Sequence, residues 1–196
     1  LSITDDTIKN ADINSSAAIA LTKLSGGINL AASGAGGVTG TLPVANGGTG
    51  ITAQAIFQAD LSSAQADIVD NTWTKVAFNN DVFDADSVFD TSNNRFIAPS
   101  DGKYVINYQV YSWPQVTNGS GCIARLYKNG SNFEHYASLA LGGSTDEIAE
   151  ISLTNTVILD LSTSDYIETY VKFNTGSSSA WTIDGATFMS GYKLGA

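Results

Sequence analysis

Apolar and polar residues alternate in several short runs in the second part of the chain. A period of two indicates β-strands with one buried and one exposed face. The clearest runs are residues 103–111, 151–161 and 166–173. Six or more such runs, with turn signals every 8–15 residues and no convincing helix among them, predict an all-β sandwich. The residues predicted to share one face are Tyr104, Ile106, Tyr108 and Val110 on the first run and Ile151, Leu153, Val157, Leu159 and Leu161 on the second; on the third run, Ile167, Val171 and Phe173 are predicted to point inward.

Asn129-Gly130 separates two strand-like runs and predicts a hairpin, because both residue types tolerate the positive φ angles of a two-residue turn. The run before it, residues 122–128, also alternates. Cys122 is the single cysteine, so we expect no intrachain disulfide and a buried thiol. The two predicted faces of this run are Cys122, Ala124 and Leu126 on one side and Ile123, Arg125 and Tyr127 on the other.

The first 70 residues have a different composition. Phe57 is their single aromatic residue, whereas 18 of the 19 aromatics follow residue 71. A segment so poor in large apolar side chains does not form a globule by itself. We therefore predict an extended fibre shaft at 1–50, a short helical neck at 51–70 and a sandwich head at 71–196.

Two short helices are expected in the N-terminal part. One begins near Ser16 and stops at Gly26, and the other covers Thr52–Asp60, which has high helix propensity and a threonine at the cap position. Between them, residues 26–50 contain nine glycines. A flexible linker is one interpretation. Regularly spaced lone apolar residues favour the other, an ordered shaft in which three chains wind together.

Charge and hydropathy exclude several partners. The net charge is −10 and no basic run exists, so a nucleic-acid partner is not expected. Anionic lipid is disfavoured for the same reason. Because the chain has no stretch of about 18 apolar residues, membrane insertion is not expected either.

Catalytic and cofactor patterns are weak. His135 is the single histidine and lies in a strand-like run, which argues against a Ser-His-Asp site. A carboxylate-pair glycosidase remains open, because the acids are numerous. Asp81, Asp84 and Asp86 crowd one turn-rich region together with Asp90, and oxygen ligands suit Ca²⁺. Their spacing lacks the calcium-loop pattern, so a solvated acidic loop is favoured. We expect no cofactor and no enzymatic activity.

Two tryptophans are candidates for recognition. Trp113 lies at the start of one predicted loop and Trp181 near the end of another. Loops on a rigid sandwich commonly carry binding residues, and an indole can stack on a sugar face. Packing against a neighbouring protomer is the alternative, which the sequence leaves open.

The segments WTKVAF (73–78), NRFIAPSDGKY (94–104) and LYKNG (126–130) resemble the C1q-like (C1q/tumour-necrosis-factor) jelly-roll domain. The closing segment ATFMSGYKL (186–194) resembles the end of that domain. The version found here is similar to the heads of bacteriophage fibre proteins, and GTLPVANGGTG (40–50) resembles an element of phage tail-fibre shafts. The resemblance implies a homotrimer with one sheet of each protomer around a three-fold axis. It leaves these residues as candidates for the core or the trimer axis: Tyr104, Tyr108, Phe188 and Tyr192.

The resemblance implies a non-enzymatic trimeric virion fibre protein, extracellular on a tail or head fibre. Its head would attach multivalently to a host surface glycan or protein, and its shaft would contact other virion proteins. Alternatives are a capsid decoration fibre, a C1q-like extracellular ligand of a cell and a glycan-degrading tail enzyme. The second of these would be supported by collagen-like repeats, which the sequence lacks.

Overall fold

The computed structural model describes residues 55–113, 121–140, 150–174 and 181–194, apart from the side chain of Glu134. These residues form thirteen strands in two sheets, and no helix occurs among them. The strands are β1 (Ile56–Asp60), β2 (Gln65–Ile68), β3 (Thr74–Lys75), β4 (Asn80–Asp84), β5 (Phe89–Asp90), β6 (Arg95–Ile97), β7 (Gly102–Ser112), β8 (Gly121–Lys128), β9 (Ser131–Ala140), β10 (Ile151–Leu161), β11 (Tyr166–Asn174), β12 (Trp181–Ile183) and β13 (Phe188–Lys193).

Sheet I is built around β7, and all of its strand pairs are antiparallel. β10 pairs with β7 along its full length, and β13 pairs with β7 over six positions. β1 follows β13, and β4 follows β1. At the end of β7, the short strand β12 pairs with it and with β2. Sheet I therefore presents five neighbouring strands in the order β10, β7, β13, β1 and β4.

Sheet II is built around β11. β8 pairs with β11 over eight positions, and β9 continues the sheet beyond β8. β6 and β3 pair with β11, and β5 pairs with β6. The inward side chains of both sheets form one buried core.

The predicted alternation is confirmed in the long strands. On β7 and β11 every residue that the alternation placed on these faces is fully buried. On β10 all but one of the predicted residues are buried, and Val157 packs partly buried against the core. The opposite side chains of these strands are more exposed, as a two-layer sandwich requires.

The helix predicted at Thr52–Asp60 is wrong where the structure describes it, because Ile56–Asp60 is strand β1. Phe57 is 1% exposed, and its ring stacks on Phe96 with centroids 4.8 Å apart. β1 also pairs with a strand on each side, which a short helix could not do. Burial and two ladders override local propensity here. The sandwich therefore extends into the range expected to be a neck.

The other N-terminal predictions lie outside the described residues. These are the shaft at 1–50 and the short helix between Ser16 and Gly26. Of the predicted neck, β1 and β2 are strands of sheet I. All described residues belong to one compact unit, Thr41–Ala196.

The Asn129-Gly130 hairpin is confirmed, with φ angles of 53° and 73°. The Asn129 side chain fixes the turn to β11: Nδ2 donates to Asp165 Oδ1 at 2.7 Å, and Oδ1 accepts from the Tyr166 amide at 2.9 Å. Lys128 Nζ lies 2.7 Å from the Asp165 carboxylate. The hydrogen bond from Lys128, followed by those from Asn129 and the Ser162 amide, lowers the pKa of Asp165 to about 2.

Candidate functional site

Trp113 lies at the end of β7 and is 56% exposed. Its ring meets Tyr111 edge-on, with centroids 5.9 Å apart and an interplanar angle of 85°. The Trp113 side chain is therefore accessible to a partner in this structure. The seven residues that follow, 114–120, lie outside the described part of the chain.

Trp181 is buried at 3% exposure, so it is not available at the surface as the sequence suggested. It opens strand β12, and its ring stacks on Phe173 with centroids 4.1 Å apart and planes 8° apart. The loop ends before Trp181, whose side chain alternates inward together with Ile183. This alternation was a readable signal, although the run is only three residues long.

The sequence left four aromatic residues as candidates for either the core or the trimer axis, and the structure divides them into two pairs. Tyr104 and Tyr108 are fully buried. The Tyr104 hydroxyl donates to the Ser100 carbonyl at 2.7 Å, and that of Tyr108 donates to the Ala124 carbonyl at 3.0 Å. Both are core residues. Phe188 and Tyr192 instead lie on the outward face of β13, where Tyr192 is 42% exposed.

In the acidic region of Asp81, Asp84 and Asp86, the described carboxylate contacts are with backbone N–H groups of the same segment. Both oxygens of the Asp84 carboxylate accept backbone N–H groups, from Val88 and Phe89, at 2.8 Å. Asp81 and Asp86 are exposed. Within the described residues, no three His, Cys, Asp or Glu side chains are grouped closely enough to hold a metal ion. A turn-stabilising role explains Asp84 without any ligand.

The outward face of sheet I carries a row of apolar side chains that crosses four strands. Strand register places Ile158 of β10 opposite Val105 of β7, Val105 opposite Tyr192 of β13, and Tyr192 opposite Ile56 of β1. Ile158 is 62% exposed and Ile56 is 37% exposed. Phe83 of β4, 44% exposed, lies beside the end of this row. We call these five residues the apolar band.

Polar rows border the apolar band on both sides. On one side Lys103 Nζ lies 3.2 Å from the Asp160 carboxylate. On the other, Thr156 Oγ1 donates to Asn107 Oδ1 at 3.1 Å. A shallow depression of about 170 Å³ opens between the band and Asn107. An apolar centre with a hydrogen-bonding rim is the anatomy of a protein interface.

The outward face of sheet II has a different chemistry. Arg125 Cζ lies 4.2 Å from the ring centroid of Trp73 and 5.9 Å from that of Tyr136. Lys172 Nζ lies 5.4 Å from the Trp73 centroid. Tyr127 meets the Trp73 edge at 6.4 Å and packs on a further tyrosine at 4.0 Å. We call this group the aromatic-cation cluster: Trp73, Arg125, Tyr127, Tyr136, Tyr170 and Lys172.

The cationic side chains on this face differ in whether they have a carboxylate partner. Lys75 is hydrogen-bonded to the buried Glu168, and Arg95 pairs with Asp90 at 3.4 Å. Arg125 and Lys172 make no ion pair with any side chain that the structure describes. Burial, followed by the neighbouring Glu168 charge, raises the pKa of Tyr170, so that phenol stays neutral in the cluster.

Sequence reasoning placed Arg125 and Tyr127 on the outward face of β8 but missed the cluster. Its members come from β8, β9 and β11 and from the residue before β3. Their contact depends on the pairing of β11 with both β8 and β3, which alternation within one strand does not reveal. The outward positions of β11 are rich in tyrosine and lysine, and this pattern was the sequence signal that could have indicated the cluster.

His135 contacts a neighbouring aromatic ring, and Cys122 is buried. The His135 ring packs on Phe133 with centroids 4.9 Å apart. Cys122 is 1% exposed, as expected, and burial raises the pKa of its thiol to about 11. In the part of the chain that the structure describes, no helix is long and apolar enough to cross a bilayer.

Comparisons with known proteins found one protein with a similar sequence and several solved structures with a similar fold. No family model matches the sequence. Over 105 residues the chain is 31% identical to the uncharacterized protein YqcC of Bacillus subtilis (strain 168). That match covers 53% of this chain and 28% of YqcC, so the chain spans well under half of that relative.

Among solved structures, murine APRIL at pH 8.0 superposes with a TM-score of 0.52 at 13% identity, covering 72% of this chain and 99% of APRIL. Eiger TNF from S. frugiperda gives 0.49 at 13% identity, covering 72% of this chain and 92% of Eiger TNF. The globular domain of zebrafish complement 1qA gives 0.46 at 14% identity, covering 73% and 98%. At these identities the APRIL likeness, with the strand topology, speaks to fold alone. The described part of the chain is an all-β sandwich with the C1q/TNF-like jelly-roll fold.

Proposed function

We propose that this chain is a non-enzymatic, homotrimeric virion fibre protein whose jelly-roll head attaches to a host cell surface. The observation that carries the proposal is the apolar band on sheet I. Its members, four of them exposed and Val105 half-buried, lie side by side across the sheet, and a contiguous apolar patch with a polar rim is typical of a surface that another protein covers.

A second and third copy of this chain are the partners that we assign to the band. The band crosses sheet I from β10 to β4, so a neighbouring sandwich could cover it along its whole length. Three-fold symmetry is supported by the C1q/TNF-like fold together with the resemblance of residues 40–50 to phage fibre shafts. A closed ring of three copies buries the band on every copy and leaves none exposed.

Attachment follows from the geometry of such an assembly. Three identical heads on one shaft present each surface site three times, and a weak site then gains avidity through effective concentration. The bacteriophage assignment rests on the shaft resemblance, with other virion proteins as partners of the N-terminal part. Two acidic loop residues stabilise turns, since the Asp84 and Asp90 carboxylates accept backbone N–H groups.

The test has two arms. Native mass measurement of the full chain should give three times the 20.5 kDa chain mass. Fluorescently labelled protein should then bind to host-type bacterial cells, and extracted surface glycan should compete. A monomer would refute the assembly. A trimer that binds no cell would favour a decoration fibre over an attachment fibre, and release of reducing sugar would favour the enzyme.

Trp113 remains a proposed contributor to attachment, because its ring is exposed beside the end of the sandwich. Trp113→Ala should weaken cell binding without changing the mass of the assembly. Trp181→Ala is not a suitable companion, since that ring is part of the core. Undiminished binding by the Trp113 variant would remove this residue from the proposal.

A further inference from the structure

We propose that the aromatic-cation cluster on sheet II binds a saccharide that carries a carboxylate, such as a uronic or sialic acid unit of a cell-surface polysaccharide. This inference deepens the proposed attachment function and rests on it for the origin of the saccharide. The binding chemistry itself is argued from the side chains of this face alone.

Arg125 provides the first part of the argument. Contact with the rings of Trp73 and Tyr136 restrains its guanidinium, so little side-chain entropy is left to lose on binding. Its Nε is buried and has no hydrogen-bond partner among the described residues. Among the side chains that the structure describes, no carboxylate pairs with its planar fork of donors. A restrained guanidinium without an internal partner suits a carboxylate, which it can bind in a bidentate manner.

Tyr136 provides the second part. It lies opposite Arg125 on the neighbouring strand and is 55% exposed. Its phenol ring is a flat apolar surface with a polar edge, which matches the apolar face and hydroxyl rim of a pyranose. A sugar ring stacked there would place its carboxylate near Arg125.

Lys172 provides the third part. It contacts Trp73 from β11 and also borders an open depression of about 210 Å³ next to the cluster. Ile123, Ser138 and Leu139 also line this depression. The depression therefore offers space for a second sugar unit, with an ammonium group at its edge.

The charge distribution favours an acidic saccharide over other partners. The protein carries a net charge of −10, yet this face presents two cations without a carboxylate partner in the described residues. Two cations are too few for a nucleic acid, whose affinity depends on many phosphate contacts. Spaced single carboxylates on a polysaccharide match them better.

The experiment uses the full chain and three probes: oligogalacturonate, hyaluronan and polysialic acid. Each probe is paired with its carboxyl-reduced form, and affinity is measured by titration calorimetry at low and high salt. The variants are Arg125→Lys and Tyr136→Ala. Lys103→Ala is the matched control, because it removes an exposed, ion-paired cation from sheet I. Thermal melting of every variant shows that the fold is kept.

At least one acidic probe should bind, and its reduced form should bind at least about 10-fold more weakly. Arg125→Lys should weaken binding about 10-fold to 100-fold, because lysine cannot make a bidentate contact. Tyr136→Ala should weaken binding about 10-fold, whereas Lys103→Ala should change it less than about 2-fold. High salt should reduce affinity, because the contact is ionic.

Three results would overturn the inference. These are no binding of any acidic probe, binding of the reduced forms as tight as that of the acidic forms, or binding by the Arg125→Lys and Tyr136→Ala variants as tight as that of the unchanged protein. A change in assembly mass on Arg125→Lys would also overturn it, because another copy of the chain would then cover the cluster. A trimer that attaches to cells but binds none of the probes would refute this inference and leave the proposed function standing.

Discussion

The two sheets enclose the same core, but their outward faces differ in the kind of side chain that lacks a partner. Sheet I exposes apolar side chains in one row, and the polar groups beside that row already bond to one another, as Lys103 does with Asp160. Sheet II covers its apolar rings with cations, of which Arg125 has no anionic partner in the described residues. The first face would be stabilised by burial against another protein surface, and the second by binding an anionic group. This difference is the reason why we propose assembly through sheet I and ligand binding on sheet II.

The largest effect should come from removing the core support that both faces share. Phe57→Ala should lower the free energy of unfolding by about 3–5 kcal/mol, because the ring is fully buried against Phe96. Denaturant unfolding measures this. Val69→Ala, which truncates a side chain that is 60% exposed beside the end of β2 and lies outside the apolar band, is the control and should cost about 0.5 kcal/mol or less. Equal, small effects would mean that Ile56–Asp60 is not a strand of sheet I.

The next prediction separates the faces directly. Ile158→Asp places a charge in the apolar band and should raise the concentration at which the proposed trimer dissociates by about 10-fold or more. Ser138→Asp adds the same charge to the exposed face of sheet II and should leave dissociation unchanged. Analytical ultracentrifugation over a dilution series measures both. If Ser138→Asp dissociated the assembly instead, the roles of the two faces would have to be exchanged.

A smaller effect concerns the turn that ties β8 to β11. The folded-state pKa of Asp165, about 2, lies below its ordinary value of 3.8. A lowered carboxyl pKa contributes stability above pH 3.8, and this contribution is lost as pH falls towards 2. Because the site is near solvent, we expect about 1 kcal/mol. Asp165→Asn should remove that part of the pH dependence of unfolding, and an unchanged acid limb would show that the ion pair with Lys128 is not formed.

The sequence predicts more of the core than of the two faces. Alternation identifies β7, β10 and β11 and the residues that share a face on each strand, because periodicity is a property of one strand. It does not separate Tyr104 from Tyr192, since both lie on alternating strands and only the sheet's inward side distinguishes them. The strand at Phe57 is hidden by high helix propensity, which pairing with β4 and β13 overrides. The contact of Arg125 with Trp73 requires strand neighbours that local pattern does not reveal.

The most direct test compares the accessibility of the two faces in the assembled full chain. Ile158→Cys and Tyr136→Cys each introduce one reactive thiol, at sites that are 62% and 55% exposed in a single chain. The native thiol contributes little background, because Cys122 is buried and its pKa is raised to about 11. Maleimide labelling is followed by mass spectrometry, with denatured protein as the reference for full reactivity. We predict that the cysteine at position 136 reacts at nearly its denatured rate, whereas the one at 158 is protected by about 10-fold or more and loses that protection on dilution. Equal, rapid labelling at both positions in the native protein would contradict the assignment of assembly to sheet I.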